Sequence, residues 1–158
     1  MCENIKISLK YCGLNVEIRP LANLVRPEMI EVDDDAKIDD FTHINGGIGL
    51  RIGKNVHISC FTSIAGGGEL IIGDNVKIGY GSKIITADGD HDNRTRMTTN
   101  TVKKRNTLSR NITIIEKGVS IGCNVVIHPN VKIGEGAVIC DHCQIMKDVE
   151  PWSTCQSA

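Results

Sequence analysis

The stretch that decides the fold reads Ile-Gly-Cys-Asn-Val-Val-Ile-His-Pro-Asn-Val-Lys-Ile-Gly-Glu-Gly-Ala-Val-Ile and covers residues 121–139. It belongs to a run of isoleucines that recur every six residues: Ile115, Ile121, Ile127, Ile133, Ile139 and Ile145. An α-helix returns its apolar face about every 3.6 residues and a flat strand about every 2, so neither explains this period. A parallel β-sheet that coils on itself, with a short strand and a turn per repeat, does explain it.

A second inward position lies four residues after each isoleucine and holds small or β-branched residues: Val119, Val125, Val131, Ala137, Cys143 and Val149. The register continues backward through three earlier triplets: Ile72, Ile78 and Ile84; Ile52, Ile58 and Ile64; and, more weakly, Val32, Ile38 and Ile44. These triplets begin twenty residues apart, and glycines at 46–47 and 66–68 mark the corner that holds the extra residues. The spacing predicts about five stacked triangular coils.

The composition fits one domain with a thin core. The chain has 158 residues, 3% of them aromatic, which leaves no room for a second substantial core. The net charge of −1 argues against a general affinity for nucleic acid or a membrane surface. The N-terminus lacks a signal-peptide pattern and no apolar stretch is long enough to span a membrane, so we expect a cytoplasmic protein.

The cysteines suggest packing more than metal binding. There are seven, an odd number without a disulfide framework, as is common in a reducing compartment. Cys140-Asp141-His142-Cys143 resembles part of a zinc site, but structural zinc needs four ligands and no second pair follows. Because Cys143 falls on the small inward position, we expect it to lie in the core, and we expect no metal.

The repeat is interrupted between Ile84 and Ile115, and long insertions on repeat scaffolds commonly carry function. The insertion holds His91 among three aspartates, Asp88, Asp90 and Asp92, and then Arg94, Arg96, Lys103, Lys104, Arg105 and Arg110. An imidazole oriented by a carboxylate can accept a proton near neutral pH, and each aspartate is a candidate for that carboxylate. The cations could neutralise the phosphates of a substrate.

Three features together resemble the hexapeptide-repeat acyltransferases: the repeat at 121–139 with its counterpart Ile-Gly-Asp-Asn-Val-Lys-Ile-Gly at 72–79, the loop histidine, and the ending Lys-Asp-Val-Glu-Pro-Trp at 147–152. The likeness is greatest to the galactoside and maltose O-acetyltransferases and to the sugar acetyltransferases of surface-polysaccharide synthesis. It implies an all-β fold, a left-handed parallel β-helix. It also implies a homotrimer with acetyl-CoA between neighbouring subunits and active sites shared between chains.

The resemblance covers about residues 30–152. On this interpretation, residues 1–29 cap the first coil, residues 30–152 form the β-helix with an inserted loop at 86–113, and residues 153–158 form a short tail. The implied reaction transfers an acetyl group from acetyl-CoA to a hydroxyl or amine of a sugar or nucleotide-linked sugar.

Residue roles carry over by position. His91 matches the general base, with Asp90 as its partner, while Gly122, Cys123 and Lys147 match coenzyme-binding positions. Acceptor-binding roles fall on two further residues, Ser59 and Asp88. These enzymes transfer the acetyl group directly, so Cys123 need not be a nucleophile.

The chain departs from the family pattern at four places. Ser120 replaces a tryptophan found in many relatives, and Ser59 replaces an asparagine used by the galactoside enzymes. Asp141 stands where a small residue usually faces the coenzyme, and its carboxylate would repel phosphate unless it points away. Residues 153–158 replace the usual tail that helps to cover the coenzyme.

Two other classes of function are compatible with the repeat. A γ-type carbonic anhydrase needs three histidines converging on zinc, but His43 and His57 are fourteen residues apart and should not stack between coils. A non-catalytic β-helix could use its flat faces for assembly, because fold alone does not determine function.

Overall fold

The computed structural model describes residues 6, 8–87 and 111–157, and in this part of the chain short parallel strands wind around a prism with three faces. The first face contains β1 (Tyr11–Cys12), β4 (Ile30–Val32), β7 (Gly49–Ile52), β10 (Glu69–Ile72), β13 (Ile112–Ile115) and β16 (Lys132–Ile133). The second contains β2 (Glu17–Ile18), β5 (Lys37–Ile38), β8 (His57–Ile58), β11 (Lys77–Ile78), β14 (Ser120–Ile121), β17 (Val138–Ile139) and β19 (Thr154–Cys155). The third contains β3 (Asn23–Val25), β6 (His43–Asn45), β9 (Ser63–Ala65), β12 (Lys83–Ile85), β15 (Val126–Ile127) and β18 (Gln144–Ile145).

Each strand pairs in register with the strand of the next coil on the same face. Ile58, for example, pairs with both Ile38 and Ile78. A short 3-10 helix, Pro27–Met29, joins β3 to β4. The predicted all-β left-handed parallel β-helix is therefore confirmed.

The core is a column of branched side chains, as the six-residue period predicts. All six isoleucines of the C-terminal repeat are between 0% and 3% exposed. The second inward position is equally buried at Val119, Val125 and Ala137. Because each coil contacts its neighbours above and below, this burial accumulates along the axis.

The structure has six coils where the sequence predicts about five. The additional coil is formed by β1, β2 and β3, which pair with β4, β5 and β6 within the segment predicted as a cap. Its inward residues Cys12, Ile18 and Leu24 keep the six-residue spacing. The period is faint there because Ile18 is the one isoleucine of the three.

Several corners place a residue in the left-handed backbone region. At the turn between the first and second faces, Asn55 has φ 52° and Asn75 has φ 58°. Asparagine tolerates this conformation better than most residues. The Asn55 side-chain amide donates a hydrogen bond to Asn75 Oδ1 at 2.9 Å, which ties one coil to the next.

Candidate active site

The described ends of the insertion lie at the turn between the third and first faces, which we term the third corner. Thr86, which is 2% exposed, anchors the start of the insertion. Its Oγ1 accepts a hydrogen bond from the Gly68 N–H at 3.1 Å and donates one to the Ala65 carbonyl at 3.1 Å. At the other end, the Asn111 carbonyl accepts from the Glu69 N–H at 2.9 Å. Both ends of the insertion are thus fixed to the preceding coil.

Lys147 lies at the same third corner, after β18. It is exposed and lines a cleft of about 320 Å³ together with Met146 and Cys155. On the third face β18 is two strands beyond β12, where the insertion begins. Because neighbouring strands are about 4.8 Å apart, Lys147 lies about 10 Å along the axis from that point.

The other predicted residues of the described chain lie at the turn between the second and third faces, which we term the second corner. Ser59 follows β8, whereas Gly122 and Cys123 follow β14, two coils further along. Ser59 is 7% exposed and its carbonyl accepts from the Thr62 N–H at 3.3 Å. The structure therefore brings these three positions to one edge of the third face and places Lys147 on the opposite edge.

Asp141 is exposed at this corner, and its carboxylate binds the preceding coil. Its Oδ1 accepts a hydrogen bond from the Cys123 N–H at 2.7 Å. A Cβ atom on Gly122 would collide with the same carboxylate, so the glycine makes the contact possible. Asp40 makes a similar contact at the second corner of a coil nearer the N-terminus, where it accepts a hydrogen bond from the Leu21 N–H at 2.9 Å. The unexpected carboxylate thus has a structural partner.

The packing role predicted for Cys143 is confirmed. Its thiol is 3% exposed in the core and donates to the Cys155 carbonyl at 3.4 Å. Burial raises the pKa of the Cys143 thiol above its ordinary value, which keeps it protonated. Cys140 packs partly buried against the same core. Within residues 6, 8–87 and 111–157, no group of three His, Cys, Asp or Glu side chains could hold a metal ion.

The predicted catalytic residues His91 and Asp90, and the acceptor-binding Asp88, lie outside the described residues, as do the six cations that follow them. His43 lies on the third face, 3.0 Å from the Asn23 amide, and His57 lies on the second face. The expectation that these two histidines do not stack is therefore confirmed.

Sequence reasoning missed two features near the second corner. His57 Nε2 lies 2.9 Å from Asp39 Oδ2, beside a cleft of about 390 Å³ that Asp39 lines with Cys60. The rings of Phe41 and Phe61 stack with centroids 5.4 Å apart. The twenty-residue spacing of the phenylalanines was a readable signal, because it equals the length of one coil.

A third feature is an ionic cluster on the first face. Glu116 accepts hydrogen bonds from the Lys132 side chain and the Glu135 N–H, and together these hold the pKa of its carboxyl below the ordinary value. The Lys132 Nζ to Glu116 Oε1 distance is 3.0 Å. This cluster borders a cleft of about 380 Å³ on the face away from the second corner.

Comparison with known proteins agrees with the fold described above. A family model for the bacterial transferase hexapeptide (six repeats) matches residues 112–149. Two solved structures are variants of AntD, an N-acyltransferase from Bacillus cereus. The first, with dTDP-4-amino-4,6-dideoxyglucose and coenzyme A, is 27% identical, with 96% of this chain and 81% of that chain covered and a TM-score of 0.85. The second, with dTDP and coenzyme A, is 26% identical, with 98% and 82% covered and a TM-score of 0.83.

A hexapeptide-repeat acetyltransferase from Vibrio cholerae, VCA0836, is more distant. It is 23% identical, with 95% of this chain and 70% of that chain covered and a TM-score of 0.58, which supports the fold. No curated protein matches the chain.

The predicted resemblance to the hexapeptide-repeat acyltransferases, and with it the acyltransferase class, is confirmed. Among the described residues, no helix is long and apolar enough to cross a membrane.

Proposed function

We propose that this chain transfers an acetyl group from acetyl-CoA to a hydroxyl or amine of a sugar or nucleotide-linked sugar. The main support is its similarity over nearly its whole length to AntD, whose complexes hold coenzyme A with dTDP or a dTDP-linked amino sugar. A dTDP-linked amino sugar is therefore the first acceptor to test. We place the reaction in the cytoplasm, as the sequence predicts.

His91 is the proposed general base, with Asp90 as its orienting partner and Asp88 near the acceptor. As the acceptor oxygen or nitrogen attacks the thioester carbonyl, its proton passes to the imidazole. The new C–O or C–N bond forms, the C–S bond breaks, and the coenzyme leaves as its thiol once a proton is returned. Backbone N–H groups are the usual donors for the oxyanion that develops on the carbonyl.

A second observation that supports this proposal is the shared position of Lys147 and the first residues of the His91 insertion at the third corner. His91 follows Ala87, the last described residue at the start of the insertion, by four positions. Lys147 lies about 10 Å along the third corner from the start of the insertion. It could therefore bind a phosphate of the coenzyme while the thioester end of the coenzyme lies near the insertion.

A second copy would complete the site. Gly122, Cys123 and Ser59 lie at the second corner, separated from Lys147 by the width of the third face. From Ser82 to Thr86 this width is four residues of extended chain, or about 13 Å. We therefore propose a homotrimer in which the second corner of one subunit faces the third corner of its neighbour.

The experiment is a panel of sugars and nucleotide-linked sugars incubated with acetyl-CoA, with release of the coenzyme thiol as the readout. His91→Ala should lower the rate roughly 10²–10⁴-fold, the usual contribution of a general base. His43→Ala is the matched control, since this exposed histidine hydrogen-bonds Asn23 on the third face. Undiminished transfer by His91→Ala would remove His91 from the mechanism.

Two further outcomes would redirect the assignment. If acetyl-CoA at millimolar concentration does not raise the melting temperature and no acceptor releases thiol, a non-catalytic assembly role is favoured. Stoichiometric zinc in the purified protein would instead favour the carbonic anhydrase alternative.

A further inference from the structure

One position of the second corner repeats from coil to coil and carries side chains that the core does not use. The residues at this position are Leu21, Phe41, Phe61, Gly81, Asn124 and His142. Phe41 is 55% exposed and Phe61 is 64% exposed. Their rings stack with centroids 5.4 Å apart and planes within 8° of parallel. The stack therefore runs along the prism axis on the outside of the molecule.

The stack stops at Gly81, where a gap opens. Gly81 has φ 71°, as Phe61 has φ 63° and Asn124 has φ 54°, so the backbone continues the series without a side chain. With coils about 4.8 Å apart, the backbone of Gly81 lies about 5 Å along the axis from that of Phe61. Stacked rings approach to about 3.5–4 Å, so a planar ring on the free face of Phe61 would lie near the level of Gly81, outside its backbone.

The gap has a polar side as well as an apolar one. A Cβ atom on Gly81 would meet the Asn124 amide oxygen, which shows that this side chain reaches over the glycine. Tyr80, which is 57% exposed, lies beside it. An amide can both donate and accept hydrogen bonds, as the edge of a nucleobase requires. The neighbouring residues in the chain are the proposed acceptor and coenzyme positions, Ser59 and Cys123.

We propose that this gap binds the nucleobase of a nucleotide-linked acceptor, with the base stacked on Phe61 and its polar edge bound by the Asn124 amide. This inference rests on the proposed function, because it specifies the acceptor as a nucleoside diphosphate sugar. Stacking on an aromatic side chain is how proteins commonly hold an unpaired base.

Three variants test the gap by different means. Phe61→Leu removes the aromatic face and keeps an apolar side chain at a residue with φ 63°. Phe61→Tyr keeps the ring and is the matched control. Gly81→Asn fills the gap, and asparagine adopts the required left-handed backbone elsewhere in this chain, as at Asn75. Melting temperature and size-exclusion chromatography monitor folding and assembly.

Titration calorimetry with dTDP and, separately, with coenzyme A gives the readout. Phe61→Leu should weaken dTDP binding roughly 5- to 150-fold, the contribution of one base–aromatic contact. Gly81→Asn should weaken it at least as much, and Phe61→Tyr should stay within about threefold. Coenzyme A binding should be the same in all four proteins.

Several results would overturn the inference. The first is an unchanged dTDP affinity in both Phe61→Leu and Gly81→Asn, and the second is that the wild-type protein binds neither dTDP nor UDP. The third is a loss of coenzyme A binding as large as the loss of dTDP binding, which would place the adenine of the coenzyme on Phe61. Dissociated subunits with unchanged nucleotide affinity would identify the stack as a subunit contact. If the inference fails, thiol release with nucleotide-free sugars would still support the proposed acetyl transfer. Nucleotide binding without any acetyl transfer would contradict the proposed function and leave the nucleobase site standing.

Discussion

His57 and Asp39 form a hydrogen-bonded pair between neighbouring coils, with Nε2 of the imidazole 2.9 Å from Oδ2 of the carboxylate. The side chains are 38% and 16% exposed, respectively. The pair lies on the second face and ends beside the second corner, where Ser59 also lies. It offers the same chemistry as the proposed His91 base, so the two histidines must be separated by experiment.

We expect His57→Asn to retain acetyl transfer within about threefold, because the pair connects coils, whereas His91→Ala should lose roughly 10²–10⁴-fold. The measurement is kcat and KM with the best acceptor from the panel. Asp39→Asn serves as the companion variant, since it keeps the shape of the carboxylate. A loss for His57→Asn as large as that for His91→Ala would reassign the base to His57.

The Asp141 carboxylate gives a second prediction. Because it accepts the Cys123 N–H at 2.7 Å, Asp141→Ala should reduce the free energy of unfolding by on the order of 1 kcal/mol. Urea denaturation measures this change, and Asp40→Ala is the matched variant, because Asp40 accepts the Leu21 N–H in the same way.

The same pair of variants tests whether Asp141 repels the coenzyme. We expect Asp141→Ala to leave the Kd for acetyl-CoA within about threefold, since the carboxylate is turned toward the preceding coil. Affinity that rises more than tenfold would show that its charge reaches the phosphates.

The period of six predicted the fold well because every coil records its two inward positions directly in the sequence. Ile121 and Val125 were assigned to the core from spacing alone, and both are buried. The same logic was insufficient at the first coil, where Cys12 and Leu24 occupy inward positions that isoleucine or valine fills elsewhere. Because these two residues do not match the isoleucine and valine pattern, the first coil was not predicted from the sequence, although its strands pair with those of the second coil.

The site was less predictable because register gives neighbours but not side-chain directions. His57 pairs in register with Lys37, yet its ring turns to Asp39, two residues further along. Phe41 and Phe61 lie at turns, and the two inward positions that define the repeat do not predict the direction of side chains at turns. The separation of Lys147 from Cys123 likewise depends on which corner each turn forms.

A core substitution tests the scaffold apart from the chemistry. Ile139 is 1% exposed, so Ile139→Ala should lower the free energy of unfolding by about 2–5 kcal/mol through lost burial and a cavity. Val138, its neighbour in β17, is 42% exposed, and Val138→Ala should cost less than about 1 kcal/mol. Urea denaturation of both variants measures the difference, and equal losses would contradict the inward assignment.

Glu116 gives a pH-dependent prediction. Its pKa in the folded protein is lowered from the ordinary 4.5, chiefly by the hydrogen bond from Lys132. A carboxyl with a depressed folded pKa stabilises the protein above its unfolded pKa, and this contribution is lost as the pH falls through the folded value. The wild-type protein should therefore melt above Glu116→Gln at pH 7, with the difference shrinking below about pH 4.5.

The control for this measurement is Glu150→Gln, at an exposed glutamate outside the cluster. Its melting temperature should follow that of the wild-type protein across the same pH range. A Glu116→Gln difference that stays constant from pH 7 to pH 3 would mean that the carboxylate charge is not what stabilises the cluster.

Thr86 tests how firmly the insertion is anchored. Thr86→Val keeps the shape of the side chain but removes the hydroxyl that binds the Gly68 N–H and the Ala65 carbonyl, each at 3.1 Å. A buried donor without a partner costs about 1–3 kcal/mol, so the free energy of unfolding should fall by that amount. Thr86→Ser keeps the hydroxyl and should lose less, because the missing methyl group is its main change. If the insertion carries the base, Thr86→Val should also lower kcat more than Thr86→Ser does, and equal kcat values would show that the anchor is structural alone.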